Sequence, residues 1–103
     1  MASMLVIYKT PQDTAAFDKH YFEIHVPLAK RLPGLKKYEV SRGPITALAG
    51  GEAYMVAALH FDDLAAIRAA FASDVGKACA ADRQNFAPDP TAFQTLLFED
   101  RAV

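Results

Sequence analysis

A single cysteine, Cys79, is all the chain has, so no internal disulfide can form. A reducing, cytoplasmic setting is the simplest reading. No apolar run reaches the roughly 20 residues that cross a bilayer, and no signal-peptide pattern opens the chain. A basic excess, the usual mark of a nucleic-acid binder, is missing too, since the formal net charge is −1. Disorder needs low hydrophobicity and high net charge, whereas 52% of these residues are apolar. Gly50-Gly51 stands alone and opens no helix with a lysine, so there is no phosphate loop. No serine sits in a nucleophile-elbow pattern, and no internal repeat appears. What remains is one domain, residues 1–103, long enough for one modest core. Residues 1–3, ahead of a second methionine at Met4, read as a leader or a late start.

The chain is organised around residues 17–34. Phe17, Tyr21, Ile24, Leu28 and Leu32 form one apolar stripe at helical spacing, which predicts a helix over 15–32. His25 falls about 50° from the centre of that stripe at roughly 100° per residue. Pro27 removes a backbone donor and crowds the carbonyl of Glu23, so the helix is expected to bend there. Val26, before the proline, is expected to leave helical geometry. Pro33-Gly34 stops the helix.

Residues 4–9 read as a strand buried on both faces. Asp13 or Thr14 caps the helix that follows. Residues 35–42 read as a more exposed strand, and 53–61 as another apolar on both sides. Asp62 or Asp63 caps a helix carrying Leu64, Ile67 and Phe71, and Ser73 or Asp74 restarts it with Val75, Cys79, Asp82 and Phe86 on one line. Pro88-Asp89-Pro90 breaks the chain before a last strand, 93–99. The order β-α-β-β-α-β is the ferredoxin-like α+β arrangement, with both helical segments on one face of a four-stranded antiparallel sheet. Parity groups Val6, Tyr8, Tyr54 and Val56 on one face, and Leu5, Ile7, Met55, Leu59 and Phe61 on the other. Helices shield one face only, and a bare apolar sheet is a larger patch than a monomer tolerates. A homodimer, sheet against sheet as a barrel, is the expected cover.

His25 has two readings: a core-edge ring satisfied by a backbone carbonyl, or an acid/base opening into a pocket between helix and sheet. Asp82 on an apolar line needs a partner. It either orients His25 or holds a substrate, or else bonds to backbone amides or to Arg83. Tyr21 lies one turn before His25, and Tyr8, Tyr54 and His60 are strand residues. Each is a candidate to line the cavity or simply to pack the core. His20 and His25 stand about 140° apart on a regular helix, so they are not expected to converge, and no zinc site is expected. Cys79 on an apolar helical face reads as core.

Phe17, Tyr21, His25-Val26-Pro27-Leu28-Ala29 and Pro33-Gly34-Leu35, followed by Tyr38 and Val40, resemble the EthD family of dimeric α+β barrel proteins. Ser73, Gly76, Ala81-Asp82 and Asn85-Phe86, with the proline break and a last strand ending in Glu99, resemble its second half. The resemblance implies the ferredoxin-like fold, the dimer, His25 as the family's histidine and Asp82 as the matching acid. It also implies a place beside a monooxygenase system in small-molecule degradation. Related dimeric barrels include cofactor-free monooxygenases, muconolactone-type isomerases, polyketide cyclases or dehydratases, and haem-handling enzymes. The expected function is a cofactor-free enzyme, or a monooxygenase auxiliary, acting on a hydrophobic small molecule. A non-catalytic carrier of an apolar ligand is the second expectation, and a dimer whose pocket its own side chains fill is the third.

Overall fold

A computed structural model describes residues 1–103. Four strands form one antiparallel sheet: β1 (Ala2–Tyr8), β2 (Lys37–Val40), β3 (Met55–Phe61) and β4 (Phe93–Glu99), in the order β2-β3-β1-β4. That order and the β-α-β-β-α-β succession make the chain α+β with the ferredoxin-like topology. β1 starts earlier than expected. Ala2 pairs with Phe61 and Glu99, and Ser3 with His60 and Phe98, so these two residues belong to the sheet.

The first helical stretch runs unbroken from α1 (Thr14–His20) to α2 (Val26–Ala29), but its middle is a π turn, Tyr21–His25. Asp13 caps its start, its carboxylate accepting from the Ala16 amide. At the π turn the Val26 amide bonds to the Tyr21 carbonyl, five residues back. The wide turn lies directly before Pro27, whose missing N–H breaks the ordinary ladder. Two expectations are corrected here. Val26 stays helical (φ −59, ψ −49), and the apolar stripe shifts by one residue. Ile24 turns outward at 51% exposure, while Phe17, Tyr21, Ala29 and Leu32 are buried.

After β3, on the same face of the sheet, come α3 (Leu64–Ala72), capped by Asp63, and α4 (Asp74–Asp82), capped by Ser73. Gly76 is required between them. A Cβ there would run into the Ala70 carbonyl oxygen and the Phe71 Cα. No helix is long and apolar enough to cross a membrane.

The register decides which side chains face the helices. Tyr8 pairs with Met55, Val6 with Ala57, Met4 with Leu59 and Ala2 with Phe61, so each pair shares a face. These residues, apart from the half-buried Met4, are buried under the helices. The grouping by parity above put Tyr8 and Met55 on opposite faces; the pairing overturns it, because a register offset of one residue flips a whole strand. The outer face carries Leu5, Ile7, Val56, Ala58, Leu96 and Phe98, with nothing above it. Leu96 and Phe98 are 38% and 42% exposed.

Candidate functional site

A cavity of about 660 Å³ opens between the inner sheet face and the helices. Sixteen of its twenty lining residues are hydrophobic. Tyr21, His25 and Ala29 line it from the first helical stretch, Ile67 and Phe71 from α3, and Val6 and Tyr8 from the sheet.

His25 sits at the wall beside an aromatic cluster. Its ring centroid is 4.7 Å from that of Phe86 and 5.3 Å from that of Tyr21. His25 Nδ1 donates to Asp82 Oδ2 at 2.9 Å, and His20 Nε2 donates to Asp82 Oδ1 at 2.8 Å. Asn85 Nδ2 donates to the same Oδ1 at 3.0 Å. Asp82, buried at the end of α4, therefore grips two histidines at once. This corrects the expectation that His20 and His25 diverge. A turn closed by five-residue steps brings positions five apart back onto one side, where a regular helix would spread them. Neither backbone amides nor Arg83 hold Asp82; histidines and an asparagine do.

The electrostatics follow from this geometry. Burial pushes the His25 ring below the ordinary 6.5, against the hydrogen bond and charge of Asp82, which pull it up. Burial also raises the Asp82 carboxyl, but the bonds from Asn85, His20 and His25 together outweigh it and hold the group below the usual carboxylate range. His25 is thus a neutral imidazole at pH 7, with its proton on Nδ1 facing Asp82. Its Nε2 makes no hydrogen bond, while every buried side-chain nitrogen or oxygen in the chain has one. Nε2 is therefore not sealed off, and the ring that carries it lines the cavity.

Tyr21 and Tyr38 share a hydrogen bond at 2.6 Å between their hydroxyls, and both line the cavity with Tyr8. Burial raises all three phenols above their ordinary value, so each is a hydroxyl near neutral pH. Tyr54 and His60 stand elsewhere. The Tyr54 hydroxyl donates to both carboxylate oxygens of Asp18, over a separate groove. His60 lies on the outer sheet face, where Nδ1 shares a hydrogen bond with Ser3 Oγ at 3.1 Å and Nε2 donates to Glu39 Oε1 at 3.1 Å. The structure brings together His25, Asp82, Tyr21 and Tyr8, and leaves Tyr54 and His60 outside. Sequence reasoning passed over His20, Asn85 and Tyr38. Only Pro27, which strains the turn before it, hinted at the shift that recruits His20. Cys79 is buried at the cavity wall, and burial raises its thiol.

A ferredoxin-like sheet with a carboxylate-held histidine over an apolar cavity defines the class: a small α+β barrel-type protein with an internal ligand-sized space. The chain belongs to the EthD family, whose domain model matches residues 9–90. It is 39% identical over 102 residues to an uncharacterized 11.0 kDa protein in the thcB-thcC intergenic region of Rhodococcus erythropolis, covering 97% of this chain and 94% of that one. A crystal structure of an ethyl tert-butyl ether D (EthD) family protein from Bacillus halodurans superposes with a TM-score of 0.87 at 30% identity, over 98% of this chain and 99% of that one. Two structures at 18% identity share the fold alone. One is SnoaB from Streptomyces nogalater, a cofactor-independent oxygenase (TM-score 0.69, 99% of this chain, 94% of that one). The other is a dimeric ferredoxin-like protein from Thermobifida fusca (TM-score 0.68, 94% of this chain, 88% of that one).

Proposed function

We propose that this EthD-family chain is a cofactor-free enzyme of small-molecule breakdown, or the auxiliary of a monooxygenase, with His25 as its acid/base. One observation carries the reading: an imidazole held through Nδ1 by Asp82, with no partner on Nε2, lines an apolar cavity of about 660 Å³. A hydrophobic substrate fills such a space by burying apolar area. Nε2 takes a proton from the carbon beside a substrate carbonyl. Returning it at another carbon isomerises the substrate, and giving it to a departing hydroxyl dehydrates it. Leaving the carbanion to dioxygen begins an oxygenation. Asp82 fixes the tautomer and steadies the imidazolium that forms; Tyr21 and Tyr8 flank the substrate. SnoaB, of the same fold, lends the oxygenase branch support by analogy.

The working form in this reading is a homodimer joined through the outer sheet faces, since Leu96 and Phe98 are exposed there and Leu5 and Ile7 are only partly covered within one chain. A reducing, cytoplasmic setting suits the lone, buried thiol of Cys79.

The experiment is a screen of hydrophobic carbonyl compounds for turnover and for exchange of the proton beside the carbonyl with deuterated water. His25→Ala should lower either rate by about a hundredfold or more. Rates that survive this substitution would remove His25 from catalysis. The second reading, a non-catalytic carrier, draws on the hydrophobic majority of the lining. It predicts tight binding with no exchange in the unaltered protein.

A further inference from the structure

We propose that the cavity selects ligands that carry, or develop, one negative charge at their polar end, and that Arg83 is the group that recognises it. This rests on the reading of the cavity as a ligand site and adds the class of ligand. The lining contains no aspartate and no glutamate, while two arginines, Arg68 and Arg83, contribute to it. Asp82, the acid next to Arg83 in sequence, faces away into the two histidines. Neither arginine forms an ion pair within the chain: the pairs present join His20 and His25 to Asp82, Lys36 to Asp62, and Lys37 and His60 to Glu39.

Arg83 is nonetheless held in place. Its Nη1 donates to the Ala87 carbonyl at 2.7 Å, and its guanidinium lies over the Phe93 ring at 4.3 Å from the centroid. The fork is fixed and half-buried, with donors left over and no counter-ion. Much of its desolvation cost has therefore been met in folding, so an anion arriving in the cavity finds a partner already placed. The aromatic rings join this partner to the histidine. Phe93 stands 6.4 Å from Tyr8, Tyr8 stands 5.7 Å from Tyr21, and Tyr21 stands 5.3 Å from His25. A flat apolar molecule lying along Tyr8 places one end by Nε2 and the other by the guanidinium. When His25 takes a proton from such a molecule, the electron pair left behind spreads onto a substrate oxygen, and Arg83 is the cation available to that oxyanion.

The test uses a near-isosteric pair, 2-naphthoate and 2-naphthamide, titrated calorimetrically into the full chain at pH 7. The acid should bind about tenfold or more tightly than the amide. Arg83→Gln should erase that preference, the acid falling to within about twofold of the amide, with an unchanged circular dichroism spectrum showing that the variant folds. Arg83→Lys should retain part of it, and Arg68→Gln most of it, since Arg68 is exposed. Equal binding of acid and amide overturns the charge selection and leaves the cavity as a site for neutral apolar molecules. A preference that persists in Arg83→Gln overturns the assignment to Arg83. Failure of both probes to bind at millimolar concentration removes the ligand site, and this inference with it.

Discussion

Each side of the sheet has a histidine tied to a carboxylate, His60 on the outer strands and His25 on the helix over the inner face, and the difference between the two is instructive. On the outer face His60 spends both ring nitrogens, on Ser3 and on Glu39, and Ser3 in turn donates to Asp100 at 2.9 Å. No nitrogen is left over, so the ring has structure to hold and nothing to offer. Over the inner face His25 spends one nitrogen on Asp82 and leaves the other unbonded, in a ring that lines the cavity. A carboxylate partner is common to both rings. The free second nitrogen and the space in front of it are what single out His25.

The largest effect that sharpens this contrast belongs to the outer face. Leu96→Glu places a charge in the apolar surface assigned to the partner chain. It should weaken dimerisation a hundredfold or more, about 3 kcal/mol, read by sedimentation equilibrium across micromolar concentrations. A protein that is already monomeric without the substitution breaks the dimer reading instead. Next comes the difference between the two acids. Asp82→Ala strips the acceptor from two histidines and an asparagine at a buried position, and should cost about 2–4 kcal/mol in urea unfolding. Asp100→Ala, on the exposed side, should cost about 1 kcal/mol or less. Equal losses would mean that the inner network is no more tightly built than the outer one.

The smallest effect is in acid. The unfolded chain takes up a proton at His25 near 6.5, while burial in the fold resists it. Below that pH the unfolded state binds more protons, so stability falls as pH drops toward the depressed folded value. Asp82 acts in the same direction lower down. Its stabilisation is full above 3.8 and is lost as pH falls through the lower folded value. Denaturation midpoints taken from pH 7 to pH 3 should decline throughout, and His25→Gln should flatten the upper part of that decline. An unchanged slope in this variant would place the acid sensitivity elsewhere.

Much of this architecture is legible in the residues. Alternating and continuous apolar runs mark the strands, and the last one, 93–99, matches β4 (Phe93–Glu99) at both ends. Asp13, Asp63 and Ser73 cap helices where short polar side chains before apolar runs said they would. The side chains meeting at the site were harder to read. His25 and Asp82 stand out because polar groups on apolar lines need partners. Which partners they find depends on the number of residues per turn, and Pro27 does not announce whether it bends a helix or widens it. The same limit explains the face assignment. Strand identity follows from composition, but the pairing of Tyr8 with Met55 depends on a long connection whose length carries no register signal.

The widened turn at Tyr21–His25 has a consequence for how this region tolerates change in length. Beyond it the helix presents its sides as if the chain were one amino acid shorter. Loss of a single solvent-facing residue such as Glu23 would leave His20 and His25 four apart on an ordinary spiral, still aimed at the same acid. Loss of Asp18 or Lys19, ahead of the wide turn, has no such slack to draw on and would swing Phe17 away from the Tyr21 ring it stacks against. The segment beside the histidine is thus the one stretch of this helix where a codon can be dropped without turning its greasy side to the water.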